Sequence, residues 1–230
     1  MRNAETATGW RDGATAVAPL LVGVVPFGLA FGVIAGQSVL GPLLGGITSI
    51  VIFGGAAQFA TVQLFDSGAA PLVVLATALV IQSRHVMYSA ALADHFREFP
   101  TGWRWFLPYG LTDQAFAVSI VRYETAVDSS YKRRFFAGAA VGLWVTWQIT
   151  TIVGIVAGAA IPESWGLDFA VPLVFLVLLV PVVTDRPGVV AAVVGGGVAA
   201  ATVTVPYHLG LLIGAVSGMV AGVAAERWQR

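Results

Sequence analysis

An all-α protein that crosses a membrane several times is the fold class this sequence predicts, and three observations predict it. Hydrophobic residues make up 57% of the chain and charged residues only 10%, whereas a soluble domain carries about 25% charged residues to cover its surface. The charges are also bunched: none lies between Asp12 and Asp66, between Arg134 and Glu163, or between Arg186 and Glu226. Each gap exceeds the roughly 20 apolar residues that span a hydrocarbon core. Finally, these stretches lack the polar stripe that a surface helix shows every few residues.

Eight apolar blocks follow, at about 14–36, 42–65, 70–92, 105–121, 135–160, 169–184, 188–204 and 207–225, giving six to eight membrane segments. Gly41-Pro42, Gly68, Pro71, Pro100, Gly102, Pro162, Pro187-Gly188 and Pro206 separate them. The first block is longer than the apolar part of a cleaved signal and holds Pro19 and Pro26, so it reads as a membrane helix. With no long linker, the chain divides into a cytoplasmic segment 1–13, one transmembrane domain 14–225 and a cytoplasmic tail 226–230.

Two blocks are odd for full spans. Block 42–65 carries Gly54, Gly55 and Gln58 at its middle, and block 105–121 carries Pro108, Gly110 and Asp113. If all eight blocks span, nine Lys and Arg fall on the side of the termini, and Arg97 and Arg104 on the other. If these two blocks are broken or re-entrant, the count becomes eleven against none. Either way the positive-inside rule puts both termini in the cytoplasm, with Ser129 inside and Glu163 to Asp168 outside.

Glycines at 28, 32 and 36, and at 210, 214, 218 and 222, repeat every four residues. Such faces let helix backbones approach closely in lipid, within the chain or against a second subunit.

The informative polar residues are those that cost free energy in a bilayer. Arg84 lies inside the third block, in one half of the membrane. It reads either as an anchor snorkelling to the interface or as a guanidinium that receives a carboxylate. Gln82 and His85 share a helical face near it, and His85 is a candidate proton carrier. Asp113 is either a helix cap or a buried acid suited to a proton or an ammonium group. Gly54 and Gly55 permit unwinding, which frees amides and carbonyls for the two ends of a zwitterion, with Gln58 beside them. Trp147 sits deep in its block, away from the interface that tryptophan favours, and is a cavity candidate.

Several classes are excluded. A net charge of zero offers no basic face to nucleic acid. Zero cysteines remove disulfides and thiolate chemistry. Without HExxH, a Walker sequence or an acidic metal cluster, no enzyme, ATP-driven pump, metal or cofactor is expected.

The runs Gly23-Val-Val-Pro-Phe-Gly-Leu-Ala-Phe-Gly32, Phe53-Gly-Gly-Ala-Ala-Gln-Phe59, Arg84-His-Val-Met-Tyr-Ser89, Thr112-Asp113 with Phe116-Ala117, and Asp168-Phe-Ala170 with Pro181 resemble, in order, the AzlC family of bacterial branched-chain amino-acid exporter subunits. The resemblance implies a multi-pass secondary exporter in the inner membrane, driven by the proton motive force. It further implies a small hydrophobic AzlD-type partner, and leucine, isoleucine, valine or a relative such as methionine as substrate. Gln82 stands where the family pattern has asparagine, and Gln114 where it has glutamate. The second change removes an acid and leaves Asp113 or His85 to couple protons. A gated channel and a non-transporting assembly subunit are the rival readings of the same architecture.

Overall fold

The computed structural model describes residues 2–126, 128–160, 183, 185–205 and 209–229. Block 169–184, the Glu163–Asp168 loop and the Asp168 and Pro181 motif lie outside the described residues, save for positions 183. Every regular element among the described residues is helical.

The helix that carries the first apolar block begins well before Gly13. Helix α1 (Arg2–Val17) passes through a 3₁₀ turn at Ala18–Leu20, where Pro19 sits, into α2 (Leu21–Gln37). Its apolar part, Thr8–Gln37, is long enough to span, as are Pro71–Arg97, Ser129–Gly158 and Leu209–Trp228. Proline is tolerated at a first helical turn, where its missing N–H has no partner to lose.

The second block breaks in the middle. α3 (Gly41–Val51) ends, the chain turns at Ile52–Gly54, and α4 (Gly55–Asp66) starts afresh. The third block is α5 (Pro71–Gln82) joined at Ser83 to α6 (Arg84–Arg97), together a 27-residue helix with Arg84 at its centre. The helix runs on past Asp94 to Arg97, because a helix can outlast its apolar block.

The fourth block breaks too, into α7 (Thr101–Phe106), a 3₁₀ turn at Leu107–Gly110 and α8 (Asp113–Thr125). Then come α9 (Ser129–Gly158), α10 (Arg186–Ala201) and α11 (Leu209–Gln229).

Contacts fix where each broken block begins and ends. A Cβ on Gly9 would touch Arg134 and Tyr131, and one on Gly36 would touch Ile155, so α1–α2 and α9 run side by side in the same direction. At the end where they start, His95 meets Lys132 at 3.2 Å, the Tyr123 hydroxyl donates to the Lys132 carbonyl at 2.9 Å, and Arg133 lies over the Trp103 ring. Segment 101–125 therefore leaves this basic end, turns inside the molecule and returns to it. At the opposite end, Gln37 donates to the Gly158 carbonyl, and Asp66 accepts from Ser38 Oγ at 2.6 Å and Val39 N at 2.9 Å. Segment 41–66 is the mirror case: it enters from that end and returns there. The two excursions meet at their tips, where Phe53 contacts Tyr109 and the Tyr109 hydroxyl donates to the Ile50 carbonyl.

The glycine faces serve packing within the chain. Added Cβ atoms on Gly28 and Gly32 would strike Thr150 and Thr151 of α9, and those on Gly214 and Gly218 would strike Gly195, Ala199 and Ala191 of α10. Large apolar side chains such as Leu43, Leu72, Val86, Ile149 and Val220 remain exposed, as expected of a surface solvated by lipid.

Candidate functional site

Where the tips meet, a cavity of about 470 Å³ opens, within the range of small-molecule sites. The first excursion supplies Phe53, Gly54, Gly55 and Ala56, and the second supplies Thr112, Asp113 and Gln114. Arg84 and His85 come from the middle of the long α5–α6 helix. Apolar walls are Leu20, Gly23, Val24 and Phe27 of the first membrane helix and its 3₁₀ turn, with Leu143 and Trp147 of α9.

The first tip is built from backbone. Phe53 takes φ 39°, in the left-handed region, which costs about 1–2 kcal/mol for a residue with a side chain. A buried polar chain holds it. The Gln58 Oε1 accepts from Gly54 N at 3.2 Å, its Nε2 donates to Ser49 Oγ at 3.0 Å, and Ser49 bonds Thr151 at 3.1 Å. Both glycines are closely packed: a Cβ on Gly54 would push against the Gln82 amide at 2.6 Å, and one on Gly55 would strike the Phe27 ring at 2.6 Å. No side-chain oxygen caps α4, so the first-turn amides present the positive end of its dipole at the cavity.

The second tip is built from side chains. The Thr112 hydroxyl caps α8 by accepting from Ala115 N at 3.2 Å, which leaves Asp113, the first helical residue, free for other work. Arg84 Nη1 meets Asp113 Oδ2 at 3.0 Å. The side chains of Arg84 and Asp113 are 33% and 40% exposed. Tyr88 stands beside both and stacks on Phe116 at 4.5 Å. The His85 ring pairs with the Gln82 carbonyl at 3.1 Å.

Buried side-chain polar atoms normally find partners. Around this cavity four do not: Gln82 Oε1, Arg84 Nε, Asp113 Oδ1 and Trp147 Nε1. Among the described residues no group of His, Asp and Glu could hold a metal. The cavity thus offers one cation, one anion, uncapped amides and apolar walls.

Of the residues singled out from sequence, Gly54, Gly55, Arg84, His85, Asp113, Gln114 and Trp147 share this one cavity, and Gln58 and Gln82 stand behind it. Gln58 is fully buried and spends its amide on Ser49 and Gly54. Gln82 packs on Gly54 and donates to the Ile52 carbonyl at 3.5 Å. Sequence reading missed Phe27 and Leu143, because an apolar residue in an apolar helix carries no signal. It also missed the Arg84–Asp113 pairing, since nothing in either segment points to the other.

Long apolar helices, paired broken segments and a central charged cavity define an integral membrane protein of transporter-like form. Residues 19–161 match the AzlC protein family, and the chain belongs to that family. An uncharacterized membrane protein of Archaeoglobus fulgidus is 29% identical over 235 residues, covering 99% of each chain. The inner membrane protein YgaZ of Escherichia coli is 23% identical over 219 residues, covering 92% of this chain and 88% of that one. An uncharacterized membrane protein of Helicobacter pylori is 23% identical over 176 residues, covering 76% and 75%. No solved structure matches the chain.

Proposed function

We propose that this chain is a secondary transporter subunit that exports branched-chain or related neutral amino acids across the bacterial inner membrane, with a small hydrophobic AzlD-type partner and the proton motive force as drive. One observation carries the reading: Arg84 and Asp113 face a cavity whose remaining walls are largely apolar. A neutral aliphatic amino acid has the matching form, a carboxylate and an ammonium on one carbon with an apolar side chain. The carboxylate would take Arg84 and the first-turn amides of α4, as substrates take half-helix N-termini. The ammonium would take Asp113, and the side chain would rest on Val24, Phe27 and Leu143. Asp113 and His85 are the groups at the cavity able to carry a proton.

The basic end supplies the orientation. Arg97, Arg104, Arg122 and Lys132 to Arg134 belong to segments that gather there, and the positive-inside rule makes that end cytoplasmic. The inner-membrane assignment draws support from the E. coli relative, which is named an inner membrane protein.

The test is leucine flux in proteoliposomes holding the chain together with an AzlD-type subunit. The expected result is saturable leucine movement that a pH gradient accelerates. Flux that rises linearly with leucine and ignores the gradient would replace the carrier with a channel.

A further inference from the structure

We propose that the Arg84–Asp113 pair is a charge lock, opened by ligands that bring a carboxylate and an ammonium together and closed to ligands that bring only one. This inference rests on the amino-acid reading and adds the rule by which the site selects. The lock is seen in how little the pair is satisfied. One contact, Nη1 to Oδ2 at 3.0 Å, joins the two groups. Arg84 Nε and Asp113 Oδ1 are buried without partners, although a guanidinium and a carboxylate can form two parallel bonds. Both groups hold bonding capacity that becomes usable when they part.

Parting them is what discriminates. A lone carboxylate that captures Arg84 leaves Asp113 with the Tyr88 hydroxyl but no counter-charge, and a lone ammonium that captures Asp113 leaves Arg84 without one. Breaking this half-buried pair from one side leaves the other charge without its counter-ion beside largely apolar walls, a penalty that the partial exposure of both groups reduces. A zwitterion replaces both halves in one exchange and leaves the cavity's net charge unchanged. Selectivity therefore comes from the penalty on the wrong ligand as much as from contacts to the right one.

Neutralising either partner should invert the selectivity. Asp113→Asn leaves an unpaired guanidinium and turns the cavity into an anion site. Arg84→Gln leaves an unpaired carboxylate and turns it into a cation site. Three probes read this: leucine, 4-methylpentanoate (leucine without its amino group) and isopentylamine (leucine without its carboxylate). Each is titrated at neutral pH against the purified full chain, its helical content checked by circular dichroism, with affinity read from thermal stabilisation.

The parent should bind leucine at least about tenfold more tightly than either analogue, the scale of one lost charge-assisted bond. Asp113→Asn should gain a similar factor for 4-methylpentanoate, and Arg84→Gln for isopentylamine. The two variants test the rule separately, so misfolding of one leaves the other to decide. Leucine binding by the parent with no inversion in a folded variant overturns the lock and spares the amino-acid reading. Inversion without leucine binding by the parent keeps the lock and overturns that reading. Equal binding of leucine and 4-methylpentanoate by the parent overturns the lock outright.

Discussion

The two broken segments enter from opposite ends of the molecule and prepare their tips in opposite ways. Segment 41–66 is apolar at its turn and offers backbone: a left-handed Phe53, two closely packed glycines and an uncapped α4. A buried amide, Gln58, holds this tip from behind. Segment 101–125 instead caps its own helix through Thr112 and puts a charge, Asp113, into the cavity. The difference teaches a division of labour. A dipole fixed by buried hydrogen bonds cannot change its sign or its partner, whereas a carboxylate on a short side chain can exchange ligands and take a proton. The first tip is the fixed one and the second the exchangeable one.

The sharpest way to break this comparison is to remove the charge from the second tip alone. Asp113→Asn keeps the size and the Thr112 cap, so expression and helical content should survive while leucine transport in proteoliposomes is lost entirely. Normal transport with an unchanged pH profile would reduce Asp113 to a helix-start residue and move proton coupling to His85.

The reverse change removes the brace of the first tip. In Gln58→Leu the Gly54 N–H and the Ser49 hydroxyl lose a partner inside the protein, and a buried unsatisfied group costs about 1–3 kcal/mol. Thr112→Ala removes an N-cap, worth about 1 kcal/mol. Thermal unfolding of the purified variants should therefore show the larger loss in Gln58→Leu. If Thr112→Ala costs more, the first tip is not the rigid one and the division of labour fails.

Part of this was legible in sequence. Charge-free gaps marked the membrane segments, and Gly54-Gly55 with Gln58, and Pro108 and Gly110 with Asp113, marked the two breaks, because adjacent glycines permit unwinding while a proline or a charge is expensive in an unbroken membrane helix. The same expense drew attention to Arg84, His85 and Trp147, which meet at the cavity. Partner choice was not legible. Hydropathy says that Arg84 needs a counter-charge but not that it lies 29 positions away in a segment entering from the basic end. Gln58 shows the limit from the other side: a polar residue in an apolar block must be satisfied, and here Ser49 and Gly54 satisfy it without any ligand. The return of both excursions to their own ends was offered by the charge count as one of two options, and tertiary contacts such as Asp66 to Ser38 and Tyr123 to Lys132 decide it.

The smallest effect concerns how the second excursion is tied down on its return. The turn after α8 closes on Asp128, whose carboxylate accepts from Ser130 Oγ at 2.6 Å, Ser130 N at 3.2 Å and Tyr131 N at 3.1 Å, capping α9. The Ser130 hydroxyl, aided by the two backbone N–H groups and by Arg134, holds this carboxyl below its ordinary range. A carboxyl depressed in the folded state stabilises the protein above its unfolded pKa, and that contribution fades as pH falls through the lower folded value. Asp128→Ala should therefore destabilise by about 1 kcal/mol at neutral pH, the usual worth of an N-cap. The gap between parent and variant should narrow as pH falls below about 4, the ordinary range of an aspartate. Thermal unfolding at a series of pH values measures it. A gap that stays constant into acid would show that the charge does not matter and that any small acceptor at position 128 ties the excursion to α9 equally well. In that case the basic end has no titrating anchor at this turn.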